Sequence, residues 1–386
     1  MSELYFDHAA SAPRRDEVTA AMAPWMHGVV GNPSGSHRAA RVARRAVEDA
    51  RDQIAALTGA KPGNVVFTAG GTESCTLAVA GFARAYARRH GAAVIVHSAI
   101  EHHAVSDAAA MVAAEDDRVR VRTLGVDDEG VVDLADVSEA LGESNVAVLS
   151  VMAANNETGV LQPLDAIASA ARAADVVSHA DVVAAAPWMD LRTLGAEIDM
   201  LSLCAHKIGG PVNAGALILR RDLVLEALTP GGGQEKGRRG GTVDVAAAVG
   251  LAEALRLVGV EREVGVAHAR ALRERLEAGL TAIEGCRVTA YSAARLPGTV
   301  HVTFPDVASD ELLFLLDQAG VYASAAASCS SGAAVASHVL AAMGLPAERA
   351  KGSLRLSFGT ETSTEGVEAV IAAVTAAVER LRAESR

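Results

Sequence analysis

Aromatic residues are scarce: six Phe, four Tyr and two Trp in 386 residues. Positive charge is in deficit too, with 35 Lys and Arg against 47 Asp and Glu, a net charge of −12. An acidic chain with few stacking rings lacks the counter-charge and the platforms that hold nucleic acid, and an anionic membrane surface would repel it. No apolar run approaches the roughly 20 residues needed to span a bilayer. The first residues, Met1-Ser2-Glu3-Leu4-Tyr5-Phe6-Asp7, carry neither the basic nor the apolar segment of a secretory leader. Only four cysteines occur, Cys75, Cys204, Cys286 and Cys329, far apart, with no CxxC pair and no zinc spacing. These absences predict a reduced, cytoplasmic protein without metal, in which any one thiol is free to do chemistry.

What is present is apolar bulk. Half the residues are hydrophobic, enough for a substantial core, and the length fits one large or two medium domains. Short apolar runs read as strands: 64–68, 93–97, 119–124, 146–152, 176–179, 200–203 and 214–219. Helical patterns separate them, the first opening at Gly70-Gly71-Thr72-Glu73 and running to about His90. Buried strands alternating with helices predict an α/β fold, a mostly parallel sheet covered on both faces. After Thr242 a long helix reaches about Ala282, followed by a strand at 299–304 and further helices. We therefore expect a large domain over 13–256 and a smaller α+β domain formed by 1–12 and 257–386. Arginines 38, 41, 44, 45 and 51 fall at helical spacing and read as a solvated face with Glu48 and Asp49 as partners.

In such a sheet, ligands bind at the carboxyl ends of the strands, and the unusual polar residues gather there. Gly70-Gly71-Thr72 joins a strand to a helix, so its backbone N–H groups could face a phosphate, though a purely steric glycine turn looks the same. Asp181 follows a strand and precedes no obvious helix cap, and alone it reads as a turn aspartate. Lys207, in Ser202-Leu203-Cys204-Ala205-His206-Lys207-Ile208-Gly209-Gly210, lies between two apolar strands, where desolvation lowers the amine's pKa and makes it nucleophilic. A carboxylate to pair with a pyridinium nitrogen, a buried lysine and a phosphate loop are together the parts of a pyridoxal-phosphate site.

At these residues the chain resembles the NifS/IscS-type cysteine desulfurases of the class V aminotransferase group, fold type I. The resemblance covers essentially the whole chain, in order. Gly31-Asn32-Pro33-Ser34-Gly35-Ser36-His37 resembles GNPSS-x-H, and Phe67-Thr68-Ala69-Gly70-Gly71-Thr72-Glu73-Ser74 resembles FTSGATES. Glu101-His102, Asn155-Asn156-Glu157-Thr158-Gly159, His179-Ala180-Asp181 and His206-Lys207 match the EH, NNE-x-G, H-x-D and HK motifs. Gly231-Gly232-Gly233-Gln234-Glu235 and Arg239-Gly240-Gly241-Thr242 resemble GGGQE and RSGT. Ser328-Cys329-Ser330-Ser331-Gly332 with Ser337-His338-Val339-Leu340 resembles SAC-T-S-G…SHVL, and Ser353 to Gly359 resembles SIRFSFG.

The resemblance implies that Lys207 binds pyridoxal 5'-phosphate covalently and then moves protons, while Asp181 keeps the ring nitrogen protonated. His102 would stack on the ring and Asn156 would bond its phenolate oxygen. Gly71, Thr72 and His206 would face the phosphate, with Thr242 reaching it from the partner subunit of a homodimer. Arg355 would clamp the substrate carboxylate, assisted by Asn32. Cys329 stands in a stretch of Ser, Ala and Gly, which suits a thiol that must attack a substrate sulfur and carry it outward; Cys75, Cys204 and Cys286 read as small buried fillers. The implied reaction takes sulfur from L-cysteine, releases L-alanine, and holds the sulfur as a Cys329 persulfide for an acceptor protein. A related C–S or selenocysteine lyase, an aminotransferase and a catalytically lapsed sulfur-relay scaffold stand as alternatives. Departures from the family pattern crowd one site: Ala184 for a glutamine, Cys204 for a serine, Cys75-Thr76 for Asp-Asn, Gly209 for a tyrosine, Val212-Asn213 for Lys-Gly. They point to a desulfurase dedicated to one sulfur-incorporation pathway.

Overall fold

The computed structural model describes residues 3–27, 31–325 and 337–384. Among them the strands are β1 (Leu4–Tyr5), β2 (Val65–Thr68), β3 (Ala93–Ser98), β4 (Val119–Leu124), β5 (Val146–Ser150), β6 (Val177–Asp181), β7 (Met200–Cys204), β8 (Gly215–Leu219), β9 (Arg287–Val288), β10 (Thr299–Thr303), β11 (Val321–Tyr322) and β12 (Ser353–Ser357). Seven of them form one sheet in the order β2-β8-β7-β6-β5-β3-β4. Only β8 runs against its neighbours. The expected α/β architecture is what forms.

The burial of each strand explains its composition. Strands β2, β3, β5, β6, β7 and β8 are buried at every position, because helices cover both faces of a parallel sheet and leave no wet side for alternation to mark. Strand β4 is an edge strand, buried only at its two ends, Val119 and Leu124. Arg120 and Arg122 project outward there, and Arg122 meets Asp136, Glu139 and Glu143. Charge on an edge discourages pairing with another chain.

The helix opening at Gly71 runs to His90 with a π-helical turn at Leu77–Gly81 in its middle. The long helix Val245–Thr281 is capped by the Asp244 side chain on Ala247 N–H. Its first half packs into the core beneath the seven-stranded sheet, with Leu251, Leu255 and Val258. Its second half supplies Ala269, Leu272, Leu276 and Leu280 to a separate core with Phe6, strands β10 and β12, and the helix Thr364–Glu384. The N-terminal residues belong to that second unit: β1 pairs with β11, and Ser357 N–H donates to Phe6 O.

One expectation fails on the arginine-rich helix Arg38–Thr58. Arg51 is not solvated but 8% exposed, bidentate to Glu235 at 2.8 Å, with its guanidinium over the Phe67 ring. Burial of a guanidinium demands a paired carboxylate, and Glu235 arrives from 184 residues downstream. Arg41 and Arg44 donate to the carbonyls of Ser36, Pro33 and Gly35, tying down the Gly-Asn-Pro loop. Both expected partners are nonetheless used: Arg45 pairs with Asp49, and Arg51 Nε also donates to Glu48 at 3.2 Å.

Candidate active site

The carboxyl ends of three strands in one sheet, β3, β6 and β7, bring the chemistry together. Asp181 closes β6, and Lys207 follows β7 in the turn that reverses the chain into β8. His102 caps the helix His103–Glu115 just after β3. Asp181 is 7% exposed, and one oxygen accepts from Val183 N–H at 2.8 Å. Burial raises its proton affinity, and the facing His102 and Lys207 pull it back down. Burial in turn lowers the Lys207 amine below its ordinary value, the shift a nucleophilic amine needs. Lys207 Nζ donates to the carbonyl of Ala9. His102 Nδ1 accepts from Ala104 N–H at 3.0 Å, so a neutral ring carries its proton on Nε2; burial lowers its pKa.

The phosphate candidates lie at the other side of Asp181. Gly70 has φ +152°, and a side chain there would meet nothing within 4 Å, so this turn is open. A Cβ on Gly71 would stand 3.0 Å from Val183 Cγ2 and 3.7 Å from Cys204 Cβ, which makes glycine the residue that lets the helix start this close to the β6–β7 ends. Glu73 reaches back to Ala69 N–H and pairs with Arg239. His206 Nε2 lies 3.9 Å from Cys204 Sγ, and burial pushes that thiol up to about 12. A neutral thiol is a weak donor, so this position gives an anion little.

The second unit supplies Arg355, the residue expected to meet a substrate carboxylate. Arg355, 4% exposed on β12, donates to Asn156 O at 2.9 Å and to Asp7 Oδ1 at 2.8 Å. Its Nε is buried without a partner among the described residues. Asn156, Ala184, Trp188 and Lys207 line a cavity of about 440 Å³. Gly209 borders it too; its φ is +75°, and a Cβ would meet the Arg15 side chain at 2.7 Å. Arg15, held by Glu261, fills the space that the family's tyrosine would claim.

A family model described as Aminotransferase class-V matches residues 4–370. The chain belongs to the class-V aminotransferase family. Within it, the chain sits among the NifS- and IscS-like cysteine desulfurases. An IscS-like cysteine desulfurase of Mycobacterium tuberculosis is 40% identical over 98% of this chain and 97% of its own. The cysteine desulfurase IscS of Methanosarcina thermophila is 37% identical over 98% and 93%. Among solved structures, a NifS-like protein superposes with a TM-score of 0.90 at 29% identity, covering 98% of this chain and 99% of that one. DndA from Streptomyces lividans superposes with a TM-score of 0.78 at 34% identity, covering 91% and 98%.

Enzymes of this family use pyridoxal phosphate, and the donor set here fits it: a buried amine, a buried carboxylate with one committed oxygen, an open glycine turn at a helix start, and a neutral imidazole between them. The class-V chain does not bring every expected residue to this point. Asn32 is exposed and its Oδ1 accepts from Ser34 N–H, closing an Asx turn. Thr242 is exposed as well, and neither residue borders the Lys207 cavity. Cys329 lies outside the described residues. Cys286 is a partly buried neighbour of the second core, and Cys204 is buried, as fillers should be. Cys75 is fully buried in an apolar core with Leu77, Ala78 and Val105, as a filler should be. Asp7 and Ala9 escaped sequence reading altogether. Nothing local marks them; they matter because β1 pairs with β11 and β12 lies beside the N-terminal segment.

Proposed function

We propose that this desulfurase binds pyridoxal 5'-phosphate at Lys207, removes sulfur from L-cysteine to give L-alanine, and passes the sulfur through a Cys329 persulfide to an acceptor protein. The observation that carries the reading is the convergence of Lys207, Asp181 and His102 at the carboxyl ends of β7, β6 and β3 of one sheet, with Arg355 bonded to the Asn156 carbonyl. The bound cofactor would supply an electron sink for the carbanion left at the substrate's α-carbon. Lys207 is the attachment point and, once released, the group that moves protons. Asp181 holds the ring-nitrogen proton, and His102 covers the ring. Asn156 contributes a side chain beside the phenolate oxygen, where Ala184 offers none. Gly71, Thr72 and His206 take the phosphate. Arg355 takes the substrate carboxylate in its planar fork.

The Cys329 thiolate attacks the substrate sulfur, forming an S–S bond as the C–S bond breaks, and the three-carbon fragment takes up a proton to leave as alanine. Exposure of Thr242 and of the segment around it supports a homodimer in which Thr242 completes the partner's phosphate site. We assign 13–256 to the cofactor domain, and 1–12 with 257–386 to the domain carrying Cys329. The departures from the family pattern at Cys75, Ala184 and Cys204 support a dedicated sulfur-incorporation role, which we place in the cytoplasm.

The decisive experiment follows Cys329→Ser. It should bind the cofactor, change its spectrum with L-cysteine, release no alanine and gain no sulfur by intact mass. Alanine at the wild-type rate from that variant would make the protein a lyase and end the reading. Borohydride reduction of the wild type must place the adduct on Lys207.

A further inference from the structure

Two members of the Asn155-Asn156-Glu157-Thr158-Gly159 turn, Asn155 and Glu157, take no part in the reaction above. Asn155 is fully buried. It stands where the chain leaving β5 reverses: Ala154 bridges to Leu161, Asn155 N–H donates to Val160 O at 2.9 Å, and Gly159 N–H returns to Asn155 O at 2.9 Å. Its side chain fills the inside of the turn. Oδ1 accepts from Glu157 N–H at 2.9 Å, Thr158 N–H at 3.0 Å and Thr158 Oγ1 at 3.2 Å. Nδ2 donates to Ile100 O at 3.2 Å, just after β3.

The next two residues reach outward. Asn156 O accepts from Arg355 Nη1 at 2.9 Å, and Asn156 borders the cavity that Lys207 lines. Glu157 Oε2 accepts from Ser337 Oγ, whose oxygen in turn accepts from Leu340 N–H at 3.1 Å and caps the helix His338–Ala342. His338 Nε2 lies 2.9 Å from Glu101 O, one residue beyond the carbonyl that Asn155 holds. One side chain therefore sets the shape of a turn onto which two distant parts of the chain are fastened.

We propose that Asn155 is a positioning residue for substrate binding: its carboxamide fixes the turn whose next carbonyl, Asn156 O, sets the plane of the Arg355 guanidinium. This role rests on the assignment of Arg355 to the substrate carboxylate made above.

Asparagine is the residue type the turn calls for. Its oxygen only accepts and its NH2 only donates, so it takes three protons on one side and gives one to the Ile100 carbonyl on the other. Aspartate keeps the acceptor, loses the donor and sets a negative charge against a carbonyl. Alanine leaves Glu157 N–H and Thr158 N–H without their partner in a buried turn, a cost the backbone avoids by moving. Movement is what reaches Arg355. Its guanidinium has two fixed partners among the described residues, Asn156 O on Nη1 and Asp7 Oδ1 on Nη2 at 2.8 Å, while Nε has none. Two anchors on different nitrogens define a plane. With Asp7 alone the fork swings about one bond, and a bidentate grip on a carboxylate is lost.

Steady-state kinetics of the holoenzyme with L-cysteine test this role. Asn155→Ala should raise KM by about 10-fold, the worth of one hydrogen bond to a charged group, with kcat within about threefold and the cofactor absorbance unchanged. Combined with Arg355→Lys it should add nothing: the double variant keeps the kcat/KM of Arg355→Lys within about twofold, because both changes remove the same grip. An unmoved KM in Asn155→Ala, or fold losses that multiply in the double variant, overturns the role. A purely structural asparagine would give the second result together with a fall in kcat. Should Asn155→Ala not fold, Asn155→Asp carries the same cycle with a KM rise of about threefold. Should Arg355→Lys itself leave KM unmoved, the carboxylate assignment above fails, and the hold of the turn on Arg355 is decided by labelling. Phenylglyoxal, an arginine reagent, should modify Arg355 several-fold faster in Asn155→Ala than in wild type, read by peptide mass. An equal rate overturns the positioning.

Discussion

Two walls of the site bury opposite charges and do so by different means. On the strand-end wall, the buried Asp181 carboxylate accepts from a neutral donor, Val183 N–H, and is influenced by the charges of His102 and Lys207. On the second wall, the Arg355 guanidinium is compensated charge against charge by Asp7, with a carbonyl on the other nitrogen. The contrast follows from what each group must do. A carboxylate that holds one proton on a ring needs a fixed proton affinity, which a rigid neutral donor supplies. In the proposed reaction, a guanidinium that takes up and releases a substrate carboxylate needs a partner it can share, and Asp7 is 22% exposed. A rigid neutral donor tunes; an exposed counter-ion exchanges.

The comparison breaks hardest at Asp181. Asp181→Asn keeps the shape and removes the charge, and kcat should fall by about 10²- to 10³-fold, the cost of one preorganised electrostatic contact. Because a buried charge with a raised proton affinity is lost, the melting temperature should hold or rise. A fall in both would mean that the carboxylate serves packing rather than chemistry.

Arg355→Lys tests the second wall. Lysine keeps the charge but not the fork, so KM for cysteine should rise and kcat/KM drop by about 10- to 100-fold, the worth of one or two charge-assisted bonds. Cofactor absorbance should be untouched. A cofactor spectrum that changes as much as the KM would place Arg355 on the tuning side of the divide.

Glu101 sharpens the first wall with the smallest effect. Its carboxyl accepts from Ser98 Oγ and Met152 N–H, its other oxygen lacks a partner among the described residues, and burial raises its pKa from 4.5 to about 8. A raised carboxyl pKa means the folded state binds a proton that the unfolded state has released. Its contribution is therefore fully present below about pH 4.5 and is lost as pH rises toward 8, on the order of 1 kcal/mol per pH unit. Glu101→Gln should flatten that slope in denaturant titrations between pH 5 and 8. An identical slope in the variant would assign the pH dependence elsewhere.

Much of this was legible before any coordinates. The seven strand positions were readable because a buried parallel strand is a short unbroken apolar run, and only their ends shifted, by one or two residues. Lys207 and Asp181 were readable because polar residues at the ends of such runs have nowhere else to point. The order of the strands was not readable, and neither was anything that depended on it. Arg51 was misread as solvated because helical spacing reports a face, not what a chain segment 184 residues later brings to that face.

The sequence by itself determined the elements, their buried faces and the set of reactive side chains, since those follow from periodicity and local chemistry. Only the tertiary structure decided which groups touch. Asp7 meets Arg355 across 348 residues because β12 bridges to the N-terminal segment. The helix after β2 starts against Val183 and Cys204 because position 71 is a glycine. Contacts of that kind depend on strand order and close approach, which the spacing of residues along a chain does not encode.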